Sequence, residues 1–301
     1  MLFSTAGIEV SPLVPPLVAF GVSFFASMGG ISGAFLLLPF QMSVLGYTNP
    51  SVSATNQFYN VVAIPSGVYR YIREGRMVWP LTVAVAVGTL PGVFIGAIVR
   101  VVWLPDPKAF KLFAAMVLLY IGGRLVRDLL KKQKNSGAQR GIVSAGPGPD
   151  FAVSVQESSL RRIAYSFQGV EYSCPTAGIV ILSLIVGIVG GVYGIGGGAI
   201  IAPFFVTFFG LPVHTISGAT LMGTFLTSVA GVFFYMCIAP FFPEQSVSPD
   251  WALGLLFGIG GMAGMYLGAR CQKFVPAKLI KWLLGLVIIS TAVKYLLEYL
   301  N

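Results

Sequence analysis

The stretch "GGVYGIGGGAIIAPF", residues 190–204, places glycine at 190, 191, 194, 196, 197 and 198 inside an otherwise apolar run. A glycine in a helix interior costs roughly 1 kcal/mol relative to alanine, so this segment is expected to interrupt a helix rather than continue one. In hydrocarbon every backbone N–H and C=O needs a partner, and a broken helix survives there only if it is packed in protein or faces a polar cavity. The flanks of the run are apolar on both sides, and stretches long enough to cross a bilayer recur along the chain. Hydrophobic residues make up 56% of the 301 positions and charged residues only 10%. The chain therefore reads as an all-α polytopic membrane protein.

A second, weaker copy of the break lies near the other end. A shift of 164 pairs Gly30, Ile31, Gly33, Pro39, Phe40, Gly46, Ser53 and Gly67 with Gly194, Ile195, Gly197, Pro203, Phe204, Gly210, Ser217 and Gly231. One residue of slip aligns Ala54-Thr55 with Ala219-Thr220, and a shift of 172 pairs Trp79, Gly88, Gly92 and Gly96 with Trp251, Gly260, Gly264 and Gly268. Two similar halves follow. Each reads as five apolar segments, at 12–28, 33–47, 50–70, 78–101 and 108–127, then 175–190, 196–210, 213–240, 250–270 and 279–299. The first two of each set are too short to span comfortably and suit a re-entrant pair, followed by three longer transmembrane helices. The domain reading is a first transmembrane repeat over 1–130, a linker over 131–173 and a second repeat over 174–301.

Five segments per half would turn the second half upside down; four would leave the halves parallel. Of the 19 Lys and Arg, the five-segment count leaves only Arg100, Lys108, Lys111 and Lys294 on one side, a sharper bias than the four-segment count gives. Inverted repeats with both ends of the chain outside are therefore expected, with the polar stretch 131–173 in the cytoplasm. Alternation at Ile163, Tyr165 and Phe167 before Gln168-Gly169 fits a small hairpin, and the composition fits a flexible linker equally well.

The net charge of +9 sits in short connectors between apolar segments, which argues for membrane topology and against nucleic acid as a partner. Three scattered cysteines and one histidine cannot build a metal site, and no cofactor is expected. No basic region precedes the first apolar stretch, so no cleavable signal peptide is expected. An intramembrane enzyme would need an acid–base or nucleophile set that the apolar segments lack, and the chain is not read as an enzyme.

The breaks are the candidate site. A half-helix starting after each glycine run presents unpaired N–H groups and roughly half a unit of positive charge, which suits an anion, and glycine lets a ligand approach the backbone. The competing reading is that the glycines serve only close packing. Ser32 lies inside the first break. Ser53, Thr55, Asn56, Gln57 and Asn60, with Ser217, Thr220 and Thr224, offer neutral donors near the start of the third segment of each half, Thr55 and Thr220 being related by the repeat. His214 is a candidate proton-carrying or pH-sensing group, or an interfacial hydrogen-bonding one. All ten carboxylates fall in connectors or helix ends, which fits an anion exporter driven by membrane potential better than an uptake system with a buried carboxylate relay. The glycines spaced by four at 88, 92, 96 and at 260, 264, 268 read as helix-contact positions.

"GIGGGAIIAPFFVTFFGLPVHTISGATLMGTF" (194–225) and "GGISGAFLLLPFQMSVLGYTNPSVSATNQF" (29–58) resemble the two repeats of the TauE/SafE family of sulfite and organosulfonate exporters. The likeness covers nearly all the chain outside 131–173. It implies transport of a small sulfur-containing anion such as sulfite, sulfoacetate or thiosulfate across the cell inner membrane. It implies substrate-binding roles for Gly194, Gly196, Gly197, Gly198 and Thr220, and for Gly30, Gly33, Thr55 and Asn56. Ser32 departs from the family pattern, standing where the second repeat has glycine, and Phe35 follows closely. Export by alternating access is the leading expectation; import of thiosulfate or another sulfur oxyanion, and a non-transporting sensor or interaction module, are the alternatives. The lipid bilayer is a partner throughout, and a homodimer stays open.

Overall fold

The computed structural model describes residues 1–28, 32–130, 153–271 and 277–300. A two-stranded hairpin opens the chain, β1 (Leu2–Phe3) against β2 (Ile8–Glu9). The first half then runs through α1 (Val14–Met28), α2 (Ala34–Ser43), α3 (Ser51–Ala63), α4 (Pro65–Arg73), α5 (Trp79–Val102) and α6 (Pro107–Leu130). Three antiparallel strands follow, β3 (Ser154–Ser158), β4 (Arg162–Phe167) and β5 (Val170–Pro175). The second half comprises α7 (Thr176–Tyr193), α8 (Gly198–Phe209), α9 (Val213–Ile238), α10 (Trp251–Cys271) and α11 (Ala277–Leu300). Among the described residues four helices are long and apolar enough to cross a membrane, over Trp79–Val102, Thr176–Tyr193, Thr215–Phe241 and Trp251–Gly268, and α1 and α2 are shorter apolar helices.

All ten apolar segments are helical, with one difference. The segment read over 50–70 is two helices, because Pro65 has no N–H to donate and α3 ends at Ala63. Pro39 makes a similar defect inside α2, where it deprives the Phe35 carbonyl of its i+4 donor. The buried Tyr193 hydroxyl, from the other half, donates to that carbonyl at 3.1 Å.

Hydrogen bonds between connectors define two ends. At the first end Asn49 Nδ2 donates to the Thr5 and Ala6 carbonyls, the Ser246 hydroxyl donates to Thr5 O at 2.6 Å, and Ser51 N–H donates to Ser246 O at 2.8 Å. Lys111, near the start of α6, meets Glu298, near the end of α11, at 2.6 Å at this end as well. At the second end Val153 N–H donates to Gly75 O at 3.0 Å, and the Tyr165 and Thr215 hydroxyls share a hydrogen bond of 2.7 Å. The pair α1–α2 thus leaves from and returns to the first end, while α7–α8 leaves from and returns to the second.

The packing is reciprocal. The first helix of each half lies along a long glycine-spaced helix of the other, α1 on α10 and α7 on α5, and α6 pairs with α11. Of the stretch read as hairpin or linker over 131–173, residues 131–152 lie outside the described residues, and the described part forms the sheet β3–β5. Gln168 and Gly169 both take positive φ, 52° and 75°, as a tight two-residue hairpin requires, and Ile163, Tyr165 and Phe167 are buried against the helices.

Candidate functional site

The site is built on α3. Side chains at i, i+4 and i+7 share one face of a helix, and on α3 that face carries Ser53, Gln57 and Asn60, all fully buried. Ser53 Oγ donates to Val192 O at 2.9 Å, at the end of α7. Asn60 Nδ2 donates to Ile195 O at 3.1 Å, inside the second break, and to Ser228 Oγ of α9 at 3.3 Å. Its Oδ1 accepts from Ser32 Oγ at 3.0 Å, inside the first break. One amide therefore holds both breaks at once, and the starts of α2 and α8 converge on it.

The two helix starts differ electrostatically. Ser32 Oγ accepts from Ala34 N–H at 3.3 Å, which satisfies one donor of α2. The first turn of α8 has no side-chain cap. A helix start without a side-chain cap keeps the partial positive charge of its macrodipole.

The glycines have packing reasons of their own. Gly194 and Gly196 take positive φ, 77° and 71°, a conformation that other residues adopt only under strain. A Cβ on Gly194 would strike the Ser53 backbone, one on Gly198 the Thr220 carbonyl, and one on Gly197 would lie 2.5 Å from Thr89 Cγ2. A Cβ on Gly33 would come within 2.8 Å of both the Tyr59 and Ser23 hydroxyls, which hydrogen-bond each other at 2.6 Å.

The structure thus brings Ser32, Gly33, Gly194, Gly196, Gly197 and Gly198 together near Asn60, where α3 meets α9 at Ser228 and Thr224. Asn56 stands beside them, donating to Ala34 O at 3.0 Å and accepting from Gln41 at 3.3 Å. Thr220 lies under α8 but turns its hydroxyl to its own helix, donating to Ser217 O at 3.1 Å. Thr55 is drawn away: its hydroxyl is shared with Tyr47 at 2.7 Å and accepts from Asp250 N–H at 2.9 Å, toward the first end. Gly30 and the His214 side chain lie outside the described residues. The bridging role of Asn60 is not readable from spacing, since its partners lie 28, 135 and 168 residues away.

Asp250 is the buried carboxylate among the described residues, and it acts as a helix cap, accepting from Leu253 N–H at 3.0 Å and Ala6 N–H at 3.2 Å. No group of three or more His, Cys, Asp or Glu that could hold a metal ion occurs among the described residues. What the arrangement offers is neutral hydrogen-bonding side chains and a helix start without a side-chain cap at a crossing of two broken helices.

Comparison with known proteins bears on this. The family model described as "Sulfite exporter TauE/SafE" matches residues 16–295. The probable membrane transporter protein YunE of Bacillus subtilis is 23% identical over 279 residues, covering 90% of this chain and 92% of its own. A probable membrane transporter protein of Xylella fastidiosa is 24% identical over 279 residues, covering 90% of both chains. The probable membrane transporter protein YdhB of Bacillus subtilis is 26% identical over 120 residues, a match that spans 46% of that protein's length. No solved structure matches the chain.

Proposed function

Because the chain belongs to the TauE/SafE family, we propose that it is a multi-pass permease of the cell inner membrane that exports sulfite or a related sulfur-containing anion by alternating access. The two halves act as oppositely oriented repeats that rock against each other, and the substrate is held where their breaks cross. The observation that carries this reading is Asn60, whose amide contacts both breaks beside the uncapped start of α8. Neutral donors and helix dipoles bind an anion without a fixed countercharge, so that it can also leave.

Direction follows from the driving force. An inside-negative potential expels each negative charge with about 2.3 kcal/mol per 100 mV, and export needs no coupled ion. The first end is then periplasmic and the sheet end cytoplasmic, in keeping with the positive charge near the second end.

The test is flux in proteoliposomes under an imposed potential, with sulfite, thiosulfate, sulfoacetate and sulfate as substrates, for wild type and Asn60→Asp. The substitution keeps the shape of the side chain, removes both amide donors and sets a negative charge between the helix starts. The expected result is potential-driven sulfite flux in wild type and its loss by at least about 100-fold in the variant, the scale of breaking the amide's buried hydrogen bonds to Ile195 O and Ser228 Oγ and adding like-charge repulsion. A wild type that moves none of the four anions overturns the transport reading. Uptake that needs an ion gradient would reverse the direction.

A further inference from the structure

The α3 face that meets the second half has three polar members, and two are accounted for: Ser53 holds the end of α7 and Asn60 holds both breaks. Gln57, between them, is fully buried, and among the described residues neither its Nε2 nor its Oε1 has a hydrogen-bond partner. Leaving a buried amide unpaired costs roughly 1–3 kcal/mol, and a chain does not keep such a group in a packed helix face without a use for it. An unbranched apolar side chain of the same length would fill the space without that cost.

The surroundings place the amide on a route. Gln57 sits one helical turn from Asn60 toward the first end, about 4.5 Å along the axis. It faces Gly231 of α9, and a Cβ there would collide with Gln57 Oε1 and lie 2.6 Å from Cδ and 2.9 Å from Nε2. Gly231 thus leaves the room that the amide occupies. On the same face of α9, one turn further from the first end, is Ser228, which accepts from Asn60. Asn60 against Ser228, then Gln57 against Gly231, place two polar side chains of α3 in line from the breaks toward the first end, between α3 and α9.

We infer that Gln57 is a substrate-binding residue on the exit side of the breaks, its Nε2–H groups donating to the oxygens of the transported oxyanion as it moves from Asn60 to the first end. The inference rests on the transport reading above. An amide suits the task because it offers two donors to an oxyanion and an acceptor to a protonated one, and being neutral it does not trap the anion as a buried cation would.

The experiment compares wild type, Gln57→Met and Gly231→Ala in the same proteoliposomes, with sulfite as the probe, and follows thermal unfolding of each in detergent. Gln57→Met keeps volume and removes the amide; Gly231→Ala keeps the amide and pushes it aside. The expected result is unfolding at or above the wild-type temperature for Gln57→Met, with kcat/KM for sulfite down at least about tenfold, the scale of one charge-assisted hydrogen bond. Gly231→Ala should fall in the same direction. Wild-type kcat/KM in Gln57→Met, with wild type active, overturns the inference and leaves the transport reading standing: the amide is then satisfied by water or left over. A Gln57→Met protein that is less stable and equally active overturns it too, by making the residue structural. A wild type inert to sulfite overturns the transport reading and this inference with it.

Discussion

The guanidinium of Arg100 is fully buried and is met only by neutral groups: it donates to Leu104 O, to Thr48 O at 2.9 Å, and lies 3.7 Å from the centre of the Phe110 ring. Among the described residues it has no carboxylate partner. Its position near the end of an apolar segment reads as an ordinary helix-end cation, and nothing in the spacing reveals the two carbonyls, because they belong to connectors that only the fold brings together. The same limit applies to Asn60. The sequence identifies it as a polar residue in an apolar helix, yet which atoms it serves depends on a crossing with residues far away in the chain. Arg100 ties two connecting segments and the first turn of α6 together at the first end, and lysine cannot reproduce a planar fork held over a ring. Arg100→Lys is expected to lower stability by about 1–3 kcal/mol, measured as a drop in unfolding temperature in detergent, with the unpaired carbonyls as the cause.

At the scale of elements, the glycines spaced by four behave as the sequence suggests. A Cβ on Gly92 would lie 2.5 Å from Leu184 O and 2.8 Å from Ile188 N, and one on Gly264 would strike Phe20 O. Each obstacle is backbone, which cannot swing aside, so α5 and α7, or α1 and α10, would have to separate. Gly264→Ala is expected to destabilise by about 1–3 kcal/mol, by the ordinary cost of overpacking. Gly123, on the exposed face of α6, meets nothing within 4 Å. Gly123→Ala should therefore stabilise by up to about 1 kcal/mol, from helix propensity alone, and the two variants are read by the same unfolding assay. The ten segments were legible because apolar length is a one-dimensional signal. The division at Pro65 was legible in principle, since proline marks its own break. The sheet was only half legible: alternation and the Gln168-Gly169 pair announce β4 and β5, but β3, all exposed, has no apolar pattern to read.

At the scale of the molecule, the orientation of the two ends can be measured. Leu160, in the turn between β3 and β4, is 93% exposed, and Glu244 is exposed at the first end. Leu160→Cys should react with an impermeant maleimide only from the cytoplasmic side, and Glu244→Cys only from the periplasmic side, in a Cys237→Ser, Cys271→Ser background, since both native thiols are at least partly exposed. The native Cys174 will not confuse the reading: it is buried in the sheet, and burial pushes its thiol up to about 11, so it stays protonated and unreactive at neutral pH. A second expectation concerns the connection between halves. Since α1 packs on α10, α5 on α7 and α6 on α11, fragments 1–140 and 145–301 co-expressed as separate chains should purify together, whereas either alone should fail to accumulate.

That interlock has a consequence for biosynthesis. When the ribosome has delivered only the first half to the insertion machinery, the Ser53 hydroxyl, the Asn60 Nδ2 donors and the Phe35 carbonyl lack the partners they have in the folded chain, because Val192, Ile195, Ser228 and Tyr193 have yet to be made. The nascent first half must then be kept near the translocon or a membrane chaperone, its polar face shielded from lipid, until roughly the midpoint of the second half emerges. The maturation step for this protein is thus a late, cooperative closure of two interdependent pieces, and any stall between residues 131 and 190 should route the chain to membrane proteolysis.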